Sequence, residues 1–332
     1  MHLRLFLFAL VLFSPLQLFA QKSPQGQGPF PFRTQHPVYL QTIQLLPERP
    51  QTLPAGVFEA RVDSSYSNIF ERVFGTTDEL NIDMELERLG FVFAYGLPQN
   101  WEVGVEIPLL HFGGGFMDSF VQSFHNAFGF PNGGRGLVPN DEFHYSIKKN
   151  NQVIYQVANS QNVNVGDVTL TAKYFFQEET RKFPAMALRF GFKLPTGDED
   201  LGSGSGNAGF GLGTAIEKSY KRLRGYGNFN YSVDGGNEAL EEYMYNEYFD
   251  YSLAGEYVFS KWISAIFQLV GGTPRLKNFG YHPWDAPPID MIIGLRGEVP
   301  LKKRLQKFFW QASFAEDVIA TGPSVDFSIW LS

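Results

Sequence analysis

Cysteine is absent from the 332 residues. That excludes disulfide staples, zinc-thiolate sites, a cysteine nucleophile and a lipid-bearing cysteine at a processed N-terminus. After residue 20 there is no run of about 18 apolar residues, so the chain carries no sequence for a membrane-spanning helix. Basic charge is in deficit: 27 Lys and Arg stand against 34 Asp and Glu, and a net charge of −7 offers no basic face to a nucleic acid. The 34 glycines follow no collagen repeat, and 16% aromatic residues are too many for a disordered chain.

What is present begins with an export signal. Met1–Ala20 opens with His2 and Arg4, runs through apolar Leu5–Phe13 and closes on Leu18-Phe19-Ala20. This pattern predicts a cleavable signal peptide over residues 1–20, too short between its flanks to span a bilayer. Residues 21–55 form a Pro-rich N-terminal segment, expected to be either a periplasmic tether or a plug threading a lumen.

From residue 56 to 332 the dominant period is two. In Trp101-Glu102-Val103-Gly104-Val105-Glu106-Ile107, apolar residues alternate with Gly or Glu. Met186, Leu188, Phe190, Phe192 and Leu194 alternate with Ala187, Arg189, Gly191 and Lys193. In Ile82-Asp83-Met84-Glu85-Leu86-Glu87 the alternation slips at Glu87-Arg88 and resumes through Leu89, Phe91, Phe93 and Tyr95, which predicts a β-bulge. Segments of this kind recur about twelve times, each of a length suited to a tilted strand crossing a bilayer. Connections alternate short and long, and Tyr95, Trp101, Tyr174, Phe176, Tyr257, Phe259, Phe308 and Trp310 stand beside the short ones. Short turns on one side, long loops on the other and an aromatic girdle predict an all-β fold. The expected architecture is a transmembrane antiparallel up-and-down β-barrel of about 12 strands. A secreted β-sandwich also alternates, but it has no reason to place charge on one face of nearly every strand.

Phe116–Phe128 is the one segment with helical spacing. Phe116, Phe120, Phe124 and Phe128 recur every four residues, between Gly113–Gly115 and Gly129 with Pro131. The expectation is a short amphipathic helix in a long extracellular loop. It would act as a gate in the mouth, lie on the outer-leaflet interface, or merely pack on the barrel.

Three stretches resemble a domain-of-unknown-function family of Gram-negative outer-membrane proteins. They are Gly28-Pro-Phe-Pro-Phe-Arg33, the segment Gly115–Arg135, and Lys193-Leu-Pro-Thr-Gly-Asp198. The last is also similar to barrels linked to degradation of phenol and other aromatic compounds. The resemblance implies the cell outer membrane of a Gram-negative bacterium and a barrel fold, and it transfers no functional residue.

Polar positions of the strands are expected in the lumen. Glu59, Asp63, Asp83, Glu85, Glu87, Glu102 and Glu106 would give the first three strands an acidic inner wall, while Lys173, Arg189 and Lys193 make the next two basic. Opposed charges across a narrow pore set up a transverse field that selects polar solutes, and the same charges could instead form ladders that fill the interior. The five histidines after residue 20, namely His36, His111, His125, His144 and His282, fall outside predicted strands. They match no His-Glu-x-x-His spacing, and no Gly-x-Ser-x-Gly elbow is present. Gly204, Gly206 and Gly209 satisfy Gly-x-Gly-x-x-Gly, but a strand follows them instead of a helix. No catalytic residue, metal or cofactor is therefore indicated. The expected partners are outer-membrane lipid and lipopolysaccharide, a small-molecule solute, and the barrel-assembly machinery that reads the terminal strand. That strand ends on Ser332 instead of the usual aromatic residue. In order of expectation, the functions are a channel or solute-uptake barrel for small polar or aromatic molecules, a structural or surface-binding barrel, and a lipid-modifying enzyme using His111, His125 and His144.

Overall fold

A computed structural model describes residues 26–129, 132–158, 162–280, 284–300, 307–317 and 325–332. The expected signal peptide, Pro131, His282 and the turn at 301–306 lie outside the described residues. Twelve strands form the wall: β1 Phe58–Phe74, β2 Glu79–Leu97, β3 Trp101–Gly113, β4 Thr169–Gln177, β5 Ala185–Lys193 and β6 Gly209–Tyr220 make one half. The other half is β7 Leu223–Asp234, β8 Glu247–Ser260, β9 Ile263–Gly272, β10 Ile289–Pro300, β11 Lys307–Asp317 and β12 Phe327–Leu331. Each pairs antiparallel with its sequence neighbours, and β12 returns to β1 through Ser64↔Leu331 to Asn68↔Phe327. The sheet closes, and closure is what a bilayer demands, because every ladder amide finds a partner in the next strand.

The two ends of the barrel differ. At one end the turns are tight: Gln99 and Asn100, joining β2 to β3, both take positive φ (60° and 62°), the primed geometry that follows strand twist. At the other end lie the long connections. A hairpin of His144–Lys149 and Gln152–Gln156 extends the sheet there by pairing with the start of β2.

Alternation sorts the wall as expected. Leu188, Phe192, Phe210, Leu212, Leu253, Phe267, Ile293 and Leu295 point outward and are exposed, whereas Arg189, Lys193, Asn228, Asn230, Glu256 and Gln268 point inward and are buried. One expectation fails. No bulge interrupts β2, whose pairing with β1 runs without a shift from Phe58↔Tyr95 to Phe74↔Glu79. The phase therefore carries through Glu87-Arg88, and the apolar residues Ile82, Met84 and Leu86 face inward. They do so because the interior at the long-loop end is dry. There they join Val38, Leu40, Phe112, Ile147, Met244 and Trp284 in one buried apolar cluster.

The N-terminal segment lies inside this wall. Residues 26–43 rise from the short-turn end and 43–54 descend to it again, so that only a few residues precede β1. The turnover is one helical turn, α1 Pro37–Leu40, capped by His36, whose Nδ1 accepts from Val38 N at 3.3 Å. Proline at the first helical position suits that turn, since its missing N–H had no partner there anyway.

Candidate functional site in the barrel lumen

The segment meets the wall through side chains. Near the short-turn end Gln27 N donates to Glu256 Oε1 (2.8 Å), and higher up Phe30 N donates to Gln268 Oε1 (2.8 Å). Thr34 Oγ1 donates to Asp290 Oδ2 (3.0 Å), and past the turnover Ile43 N donates to Asp234 Oδ2 (2.8 Å). On the way down, Leu53 N donates to Glu102 Oε2 at 2.7 Å. Among the described residues, no backbone ladder joins 26–54 to the barrel; pairing begins only where Gly56 N donates to Gly96 O. The wall holds itself together, and the segment is held by what the wall presents.

Three side chains of the segment, Arg33, Glu48 and Arg49, carry most of the charge in that contact. Arg33 Nη2 lies 2.7 Å from Glu106 Oε2, and Arg88 shares the same carboxylate. Arg49 Nε lies 2.9 Å from Glu217 Oε2. Glu48 is gripped twice, with Oε2 2.6 Å from Lys173 Nζ and Oε1 2.7 Å from Arg189 Nε. Burial alone would raise the Glu48 carboxyl, but Lys173 and Arg189 override it and hold it down at about 2. For Arg33 burial lowers the guanidinium, with Glu106 opposing.

Of the polar positions expected in the lumen, Asp63, Glu102, Glu106, Lys173, Arg189 and Lys193 stand on the inward phase with partners there, and Glu59 shares the phase of Asp63. Asp63 accepts from Arg61 Nε and from Ser332 Oγ (2.8 and 2.5 Å), which ties the last residue to the first strand. Lys193 Nζ lies 2.7 Å from Asp167 and 3.5 Å from Asp234. Asp83, Glu85 and Glu87 lie instead on the outward phase of β2, the correction that follows from the unbroken register.

Of those outward acids, Glu85 holds the start of the helix. α2, Asp118–Phe128, packs Met117, Val121 and Phe124 against Tyr66, Phe314 and Phe327, on the outside of the wall where β11, β12 and β1 meet. Glu85 accepts from Phe116 N and Met117 N (2.9 and 2.5 Å), and from Asn68 Nδ2 (3.1 Å) and Tyr66 Oη. A carboxylate at a helix start satisfies amides that the helix itself leaves free. Arg135 then bridges Asp118 (2.8 Å) and Asp326 (2.7 Å). Phe116 and Phe120 lie against Tyr66 and Phe327 on the outer face (ring centroids 5.2 and 5.4 Å) and, like Phe128, stay largely exposed, so the aromatic repeat sits outside the barrel and not in its mouth. The histidines expected outside strands stand partly on them, with His111 on β3 and His144 in the hairpin while His125 is on α2. They are dispersed among different carboxylates: His111 by Glu87 (3.9 Å), His125 by Glu316 (3.5 Å) and His144 by Glu142 (3.0 Å).

Sequence reasoning missed the partners supplied by 26–54. The signal was available: Arg33, Glu48 and Arg49 are the charges of a segment otherwise apolar or amide-bearing, and isolated charges there need a polar lumen to answer them.

A family model described as a protein of unknown function, DUF3187, matches residues 9–332. No curated protein matches the chain. Among solved structures, the COG4313 outer membrane channel from Pseudomonas putida F1 aligns over 87% of this chain and 98% of that one, with 12% identity and a TM-score of 0.52. The TodX monoaromatic hydrocarbon channel, as a ΔS2S3 mutant, covers 85% and 91% with 8% identity and a TM-score of 0.36. The outer membrane channel DcaP of Acinetobacter baumannii covers 85% and 98% with 11% identity and a TM-score of 0.31. The first supports the architecture, a barrel of the kind found in the Gram-negative outer membrane; the other two are too distant to carry an argument.

Proposed function

The chain belongs to the DUF3187 family, and we propose that it is an outer-membrane channel for small polar or aromatic solutes, closed at rest by residues 26–54 acting as a plug. In this reading Met1–Ala20 directs export, the short turns face the periplasm, and the barrel-assembly machinery reads β12. The outward belt lies in lipid and lipopolysaccharide. One observation carries the proposal. A complete wall encloses a segment that shares no ladder with it and that is held by side chains alone, through ion pairs, single hydrogen bonds and the packing of Phe30, Phe32, Val38 and Leu40. Side-chain contacts of that kind exchange with water far more readily than a strand ladder does, so the plug can leave without opening the wall. The inward charges then become the pore lining, and their opposed signs orient a polar solute.

Planar-bilayer recording tests this. The full chain is expected to show rare openings, and the Arg33→Ala/Glu48→Gln/Arg49→Ala variant frequent ones. Silence from both would favour a second reading, a surface-binding scaffold. The apolar cluster that seals the long-loop end around Trp284 is the observation that speaks for that alternative.

A further inference from the structure

We propose that Lys173 and Arg189 form a binding site for small organic carboxylates, and that Glu48 occupies it as the chain's own stand-in for the solute. The inference rests on residues 26–54 being a movable plug. The two cations are direct cross-strand partners on β4 and β5. Each takes one oxygen of the same carboxylate, at 2.6 and 2.7 Å, so the clamp fits a planar two-oxygen anion. Both cationic side chains are deeply buried, at 8% and 4% exposure, whereas Glu48 is 34% exposed. The pocket is therefore rigid wall, and its occupant is the accessible partner.

Charge and hydrogen bonding agree. Lys173 also faces Glu102 at 3.0 Å, so wall residues alone set one carboxylate against two cations, and withdrawing Glu48 leaves one positive charge unanswered. An unanswered buried charge is costly, and a soluble carboxylate relieves that cost. Asn228 stands beside the site: its Oδ1 accepts from Glu48 N (3.2 Å) and from Arg189 Nη1 (3.1 Å). Among the described residues its Nδ2 is buried without a partner, a donor that the resident carboxylate leaves unused. Opening then becomes a competition, in which a solute carboxylate takes the place of Glu48 and releases that part of the plug.

Chemical rescue tests the site in the full chain. Glu48→Ala is expected to melt at a lower temperature in detergent. Propionate, which supplies the deleted carboxylate and methylene with one carbon over, is expected to raise that temperature at concentrations at least tenfold below those at which propionamide or chloride has an equal effect. Adding Arg189→Gln should abolish the propionate response. Equal rescue by chloride, or a response that survives Arg189→Gln, would overturn the proposal. If Glu48→Ala does not accumulate folded, its refolding yield into micelles with propionate or propionamide gives the same discrimination. Rescue without conductance in any variant keeps the site and rejects the channel; conductance without rescue keeps the channel and rejects the site.

Discussion

Gly191→Val is the sharpest test of how the N-terminal segment is seated. Gly191 and Gly211 are paired across β5 and β6, and Leu45 sits in the gap that their missing side chains leave. A Cβ on Gly211 would stand 3.1 Å from a Leu45 δ-carbon, and one on Gly191 would overlap the other. Valine there competes for the volume that Leu45 fills, and overpacking of this sort costs about 1–3 kcal/mol. The wall is fixed by its ladder, so the segment yields. At 1.4 kcal/mol per tenfold, the docked population should fall by roughly 5- to 150-fold relative to the undocked one. Leu45→Ala also loosens docking, by about 2–5 kcal/mol, because it leaves a cavity. Together the two changes should recover much of the loss, since valine fills what alanine vacates, and the coupling should reach about 0.5–3 kcal/mol. Open probability in planar bilayers reads the effect, and trypsin cleavage after Arg33, which precedes Thr34, provides an independent measure. If Gly191→Val and the double variant show the same open probability and the same cleavage rate, Leu45 is not what seats the segment.

Further expectations concern locking, pH and the external helix. Leu45→Cys with Gly191→Cys puts one thiol at the Leu45 γ-position, 3.4 Å from the other cysteine's Cβ, in a chain without other cysteines, so oxidation should silence conductance and a reductant restore it. The depressed Glu48 carboxyl stabilises the docked state fully above its ordinary value of 4.5 and loses that contribution as pH falls toward about 2. Open probability should therefore rise across that acid window, and Glu48→Gln should flatten the rise. Arg135→Ala leaves Asp118 and Asp326 without their shared cation, at a cost of about 3 kcal/mol. Hydrogen exchange over Asp118–Phe128 should quicken while the heat-modifiable gel shift of the barrel persists.

Much of this architecture was legible in the sequence, because a bilayer imposes period two on every strand and tolerates no unpaired backbone. The phase of a strand was harder to read. Alternation in Ile82–Glu87 says which residues share a face, but not which face looks inward. The usual assignment of apolar to lipid and acidic to lumen reverses here for two reasons. Loops folded over the long-loop end make the upper interior apolar, and the start of α2 takes up Glu85 from outside. What passed for a bulge at Glu87-Arg88 is the level at which the lumen changes from apolar to charged. The helix itself was recognisable from phenylalanines spaced by four, although it starts at Asp118, after the first of them, but its position was not. Its docking depends on Tyr66, Phe314 and Phe327, which are far apart in the chain and meet only once the barrel closes.

The route of residues 26–54 has a topological consequence. Because the segment enters and leaves through the same rim, it need never be threaded from one opening to the other, either when the cylinder forms or when it empties. It can slide in after the last strand has closed and back out again, like a finger in a glove, while its covalent link to the first strand keeps it on a leash for return.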